Sequence, residues 1–127
     1  MIAVEKVVLD VDDQERAKEF WTSAMGFEVV QDAPYGEERW LEVRSPDDGV
    51  VLVLNRTSAG PGDRESVPPM LPTSNVMFAC DDIERRYNEL TQRGVEFPQP
   101  PVRQPFGWYA LFKDGEGNRF ALSEASR

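Results

Sequence analysis

The chain has 127 residues, 40% of them hydrophobic, which fits one compact domain or two small halves and excludes wholesale disorder. Its 14 Lys plus Arg against 23 Asp plus Glu give a formal charge of -9, which opposes binding to phosphate backbones and anionic lipid. There is no histidine, so the commonest metal ligand and the commonest general base are both missing.

Taken in order, "VEKVVLDV" alternates as a strand with Val7, Leu9 and Val11 on one face. A helix is predicted from about Asp13, with Asp12 or Asp13 as N-cap. Ala17, Phe20, Trp21, Ala24 and Met25 form its apolar stripe and Gly26 its C-cap. Strands are predicted at about 27–32, 38–44 and 50–55, with "SPDDG" as a hairpin turn. The stretch 56–74 is polar and rich in Pro and Gly, a linker expected to be mobile. A second helix is capped by Asp81 or Asp82, carries Ile83, Tyr87 and Leu90 on its buried side, and closes at Gly94. Strands at about 95–98, 107–113 and 118–124 follow; the proline cluster "PQPPVRQP" between the first two is predicted as a loop, and "DGEG" as a turn.

The two halves repeat. Val7 matches Val76, Asp12-Asp13 matches Asp81-Asp82, and Glu15-Arg16 matches Glu84-Arg85, all at an offset of 69. From the end of the helix the offset becomes 68, pairing Gly26 with Gly94, Glu28 with Glu96, Trp40 with Trp108, Gly49 with Gly117 and Leu54 with Leu122. A duplicated unit is the expected architecture: unit 1 at about 1–55, the linker, and unit 2 at about 75–127, together one domain.

Alternation then assigns faces. With Val7, Leu9 and Val11 under the first helix, Lys6, Val8 and Asp10 point the other way, as do Met77 and Ala79 in the second half. The same count puts Trp40, Glu42, Arg44, Val51 and Val53 on that second face, together with Trp108, Ala110, Phe112, Arg119 and Ala121. The candidate ligand-binding residues are therefore Asp10, Trp40, Glu42, Met77, Trp108 and Phe112, a lining for a flat aromatic or cationic molecule. Two bland alternatives stand beside this: both tryptophans are core or interface residues, or Lys6 pairs with Asp10 or Glu42 and leaves no charge for a ligand.

Strand-helix-strand-strand-strand, duplicated, with "DDQER" and "DDIER" opening the helices and "FKDGEGNRFAL" near the end, resembles the vicinal oxygen chelate superfamily of glyoxalases, extradiol dioxygenases and bleomycin-resistance proteins. The resemblance implies an α+β fold in which two tandem βαβββ units form a curved mixed sheet around a cleft, helices outside. It also implies four metal-ligand positions, which here fall on Lys6, Val53, Asn75 and Ala121. An ammonium, two hydrocarbons and an amide do not make a zinc, iron, nickel or manganese site. The expectation is a protein with no metal and no cofactor, of the bleomycin-resistance type, binding an aromatic or cationic compound. No catalytic residue is assigned. The alternatives are a metal-free lyase or isomerase using Asp10, Glu42 or Lys6 as acid or base, and a structural or regulatory module with a filled cleft.

Cys80 is the only cysteine, which suits a reducing compartment. The N-terminal run lacks a leader pattern and no stretch approaches the ~20 apolar residues of a membrane span, so a cytoplasmic protein is expected. The resemblance adds a homodimer, and the acidic charge leaves neither nucleic acid nor membrane expected as a partner.

Overall fold

Lys6–Val11 forms β1, whose Leu9 and Val11 are buried while Lys6, Val8 and Asp10 are exposed, the period-2 pattern read from the sequence. The structure is a computed structural model and describes residues 1–47, 49–57, 72–74 and 76–125. It divides into two units, Met1–Gly62 and Asp63–Arg127.

In unit 1, Asp13 caps helix α1 (Gln14–Glu19) by accepting from the Arg16 amide at 3.1 Å. The single helix predicted up to Gly26 is corrected here. After Glu19 the chain widens into a π-helical turn over Phe20–Ala24, closed by the Met25 amide donating to the Phe20 carbonyl. Trp21 occupies this turn. Its indole is fully buried, edge-on to Phe20 at 5.3 Å and tilted against Phe27 at 5.1 Å. Gly26, at φ +78°, then takes the left-handed turn that suits a glycine.

Strands β2 (Glu28–Tyr35), β3 (Glu38–Arg44) and β4 (Val51–Arg56) complete the unit in the order β1-β4-β3-β2. Only β1 and β4 run parallel. Gln14 is buried because its amide nitrogen donates to the Arg39 and Leu54 carbonyls, both at 2.9 Å, pinning α1 to two strands. On the surface, Arg39 grips Asp32 through two bonds of 2.7 Å and reaches Glu15 at 2.6 Å, while Lys18 meets Asp32 at 3.0 Å. These cations hold the Asp32 carboxyl well below the usual range.

Unit 2 repeats the design with β5 (Met77–Ala79), α2 (Ile83–Gln92), β6 (Glu96–Gln104), β7 (Gly107–Lys113) and β8 (Arg119–Ala125), ordered β5-β8-β7-β6. Asp82 is the N-cap and adopts φ +43°, a left-handed conformation for a non-glycine. Asp114 organises the β7–β8 turn by accepting from the Glu116 and Asn118 amides, both at 2.9 Å. The proline cluster expected as a loop is instead the long strand β6. Proline donates nothing to a ladder, and β6 satisfies that by lying at the sheet edge and shifting register twice, between Glu96 and Gln99 and between Gln99 and Val102. The fold is thus α+β, two four-stranded mixed sheets of identical order, each with one α-helix among the described residues. Most of the 56–74 linker lies outside the described residues.

The unit 2 core is aromatic. Phe112 stacks on Phe120 at 5.3 Å, touches Phe78 and Phe97 at 6.0 Å, and has no exposed surface; Phe97 in turn meets Tyr87 of α2 edge-on at 4.8 Å. Phe112→Ala should lower the unfolding free energy by about 3–5 kcal/mol in a urea titration. Met77→Ala, at a 58% exposed residue, should change it by no more than about 0.5 kcal/mol.

Candidate functional site

Which way each strand faces follows from its contacts. In β3 the Arg39 side chain reaches Glu15 of α1, so Leu41 and Val43 share its helix-facing side and Trp40, Glu42 and Arg44 face away. Register extends that outer face across the sheet. One row joins Lys6, Val51 and Arg44; the next joins Val8, Val53 and Glu42; Asp10 lies opposite Asn55. The assignment from alternation holds throughout unit 1.

On this face Glu42 is the centre. Its carboxylate oxygen Oε2 accepts from Lys6 Nζ at 2.6 Å and from the Trp40 indole Nε1–H at 2.7 Å, and the residue is only 3% exposed. The ammonium also lies 5.9 Å from the Trp40 ring centroid, and Tyr35 packs against the same ring at 6.0 Å. The Lys6 hydrogen bond, joined by that of Trp40, holds the Glu42 carboxyl below its ordinary value against the opposing effect of burial. Bonding to Glu42 likewise holds the Lys6 ammonium above its ordinary value, outweighing desolvation. Burial alone would push these two groups the other way; the partner wins because it is 2.6 Å distant. Asp10 is exposed and accepts from the Asn55 amide at 3.2 Å, without touching Lys6.

Unit 2 corrects part of the face assignment. Phe112 contacts Phe97, which contacts Tyr87 of α2, so Trp108, Ala110 and Phe112 face the helix and Tyr109 and Leu111 face away. The constant offset of 68 fails in one strand. Leu111 pairs with Ala121 as Glu42 pairs with Val53, so β3 maps onto β7 at an offset of 69 and β4 onto β8 at 68. The residue is regained because β6 has 9 residues where β2 has 8. It is lost again in the turn, which spans 114–118 where the first spans 45–50. Tyr109, not Trp108, therefore corresponds to Trp40. Tyr109 is 5% exposed, its phenol pushed up by burial and partly drawn back by the Arg119 charge, and Phe106 stands edge-on to it at 5.7 Å.

Trp108 instead lines an open groove of about 570 Å³ at the start of α2, with Asp81, Asp82, Ile83, Glu84 and Glu124. The Glu124 carboxylate there accepts from the Ile83 amide at 2.6 Å, and Asp81 is held by Arg86 at 2.8 Å. Met77 is exposed on the outer face of unit 2, opposite Ala121 in the ladder. Cys80 is half-buried, and burial pushes its thiol up to about 11, the setting of an inert cysteine.

A match to the Glyoxalase/Bleomycin resistance protein/Dioxygenase superfamily covers residues 3–122. The chain belongs to that superfamily. YetH of Bacillus subtilis (strain 168) is 34% identical over 119 residues, covering 93% of this chain and 94% of its own. The crystal structure of TnmS3, an antibiotic binding protein from Streptomyces sp. CB03234, superposes with a TM-score of 0.80 at 30% identity, covering 99% of this chain and 98% of its own. UcmS2 superposes at 0.79 with 33% identity, covering 97% and 98%.

The resemblance implies metal donors, in the metal-dependent members, at four positions matched in this sequence by Lys6, Val53, Asn75 and Ala121. Lys6 carries a positive charge already paired with Glu42, and Val53 and Ala121 are buried hydrocarbons at 2% and 0% exposure. Asn75 lies outside the described residues. Among the described residues no three His, Cys, Asp or Glu side chains are grouped to hold an ion. This donor set does not fit a divalent metal.

The pair sets a pH dependence. Because its carboxyl is held low in the fold, Glu42 stabilises above about pH 4.3, the unfolded value, and that contribution is lost as pH falls through the folded one. Lys6, held high, stabilises below about pH 10.4 and loses its contribution as pH rises through its folded value. Thermal melts of Glu42→Gln against wild type should show a stability difference that is greatest near neutrality and shrinks towards both extremes.

Proposed function

We propose that this chain is a small-molecule-binding protein that works without a metal, capturing an aromatic compound on the outer face of unit 1 around Trp40 and Tyr35. The observation that carries the reading is the Glu42 carboxylate held between Lys6 and the Trp40 indole, which fixes the orientation of the ring. A preset aromatic surface with few polar groups suits capture by burial and stacking. The likeness to TnmS3, described as an antibiotic binding protein, supports sequestration of an antibiotic-like compound as the concrete form. The reading carries with it the homodimeric state that the resemblance implies and the cytoplasmic setting expected from the sequence.

Catalysis by Lys6 and Glu42 as acid and base is the competing reading, and the two groups do converge. Their shifts oppose it. An ammonium held high and a carboxylate held low are both further from neutral pH than the free side chains, whereas proton transfer is served by values near the working pH. Asp10 is exposed and is engaged by Asn55.

Fluorescence titration with a panel of flat aromatics tests the proposal. Trp40→Ala should weaken binding by about tenfold or more, whereas Trp108→Phe should leave it within about twofold, and EDTA should have no effect. Equal loss from both variants, or loss on chelation, would overturn the reading.

A further inference from the structure

Resting on the binding reading above, the charges of the unit 1 face set the chemical class of its ligand. Glu42 is 3% exposed and is already neutralised by an ammonium 2.6 Å away. A ligand cation would have to displace Lys6 to use it. Lys6, by contrast, has a side chain 36% exposed and directs one bond to Glu42, while an ammonium carries three N–H donors. Among the described residues no other acceptor is hydrogen-bonded to it. The same ammonium lies 5.9 Å from the Trp40 ring centroid. A flat ring laid against Tyr35 and Trp40 brings its own substituents to those donors.

The other charges nearby do not reverse this. Arg44 lies in the same cross-strand row, beyond Val51, and adds a second cation to the face, with Glu28 opposite it on β2. Glu5, beside Lys6 in the chain, is solvent-exposed and acts on the ammonium through its charge more weakly than Glu42 does. Asp10 is four residues along β1 from Lys6, about 13 Å at strand rise, and is engaged by Asn55. The formal charge of -9 belongs to the whole surface, and charges beyond about 8 Å are largely screened at physiological salt.

We infer that the unit 1 face recognises a flat aromatic compound bearing an anionic oxygen, a ring carboxylate or ionised phenol, with the ring on Tyr35 and Trp40 and the oxygen on Lys6 Nζ. This narrows the aromatic or cationic ligand expected from the sequence to an aromatic anion.

Isothermal titration of the full chain at pH 7 with three isosteres tests it: 2-naphthoate, neutral 2-naphthamide and 2-naphthylmethylammonium. The naphthoate should bind about tenfold more tightly than the ammonium compound. Lys6→Met should remove about tenfold from the naphthoate affinity and abolish the preference for the naphthoate over the amide. Lys6→Arg, which keeps the charge, should retain the order. If the ammonium compound binds as well as the naphthoate, the inference fails while the binding reading stands. If none of the three binds, both fail. Should Lys6→Met unfold, the order of the isosteres on wild type decides alone.

Discussion

A single carboxylate, that of Glu42, organises the outer face of unit 1. It accepts two hydrogen bonds on one oxygen, from an ammonium and from an indole, on a sheet surface where it is almost wholly withdrawn from water. Removing one partner leaves a buried charge or an unsatisfied donor, which makes the arrangement all-or-none. The orientation of Trp40, the retention of Lys6 and the ionised state of Glu42 are therefore one fact, and each strand contributes to it: β1 supplies Lys6 and β3 supplies Trp40 and Glu42. The parallel β1–β4 and antiparallel β4–β3 ladders bring these residues into adjoining rows.

Under the proposed reading, that cluster takes the place of an ion in recognition. At a position where the resemblance implies a metal donor, Lys6 supplies a positive charge carried by the chain itself. The other two implied positions among the described residues, Val53 and Ala121, are buried hydrocarbons. Fold alone says little about function in a scaffold this widely used. The residues at these positions say more, because their chemistry limits what the face can bind.

Most of unit 1 was legible in the sequence. Alternation in "KVVLDV" placed Lys6 and Asp10 on one side and Leu9 and Val11 on the other, and the Lys6–Glu42 pair was one of two pairings that the face assignment allowed. The direction of their shifts was not legible, since it depends on a 2.6 Å approach that spacing does not reveal. A constant offset of 68 places Trp108 and Phe112 on the wrong side of β7. A strand reverses its faces with a single residue of slip, and β6 supplies that residue before the following turn removes it. The signal was present: at an offset of 69, Trp40 falls on Tyr109, another aromatic. The proline-rich β6 and the π-helical turn around Trp21 escaped prediction for a common reason. Edge position and the packing of one large buried indole override local propensity, and both are tertiary facts.

The central claim is that recognition occurs at the Trp40 indole held by Glu42. The chain has three tryptophans, each with its own indole N–H resonance, so nitrogen–proton correlation spectra distinguish Trp21, Trp40 and Trp108 directly. On saturation with 2-naphthoate the Trp40 signal should move well beyond the other two, and the movement should disappear in Glu42→Gln. A shift confined to Trp108, in the acidic groove at the start of α2, would contradict the account.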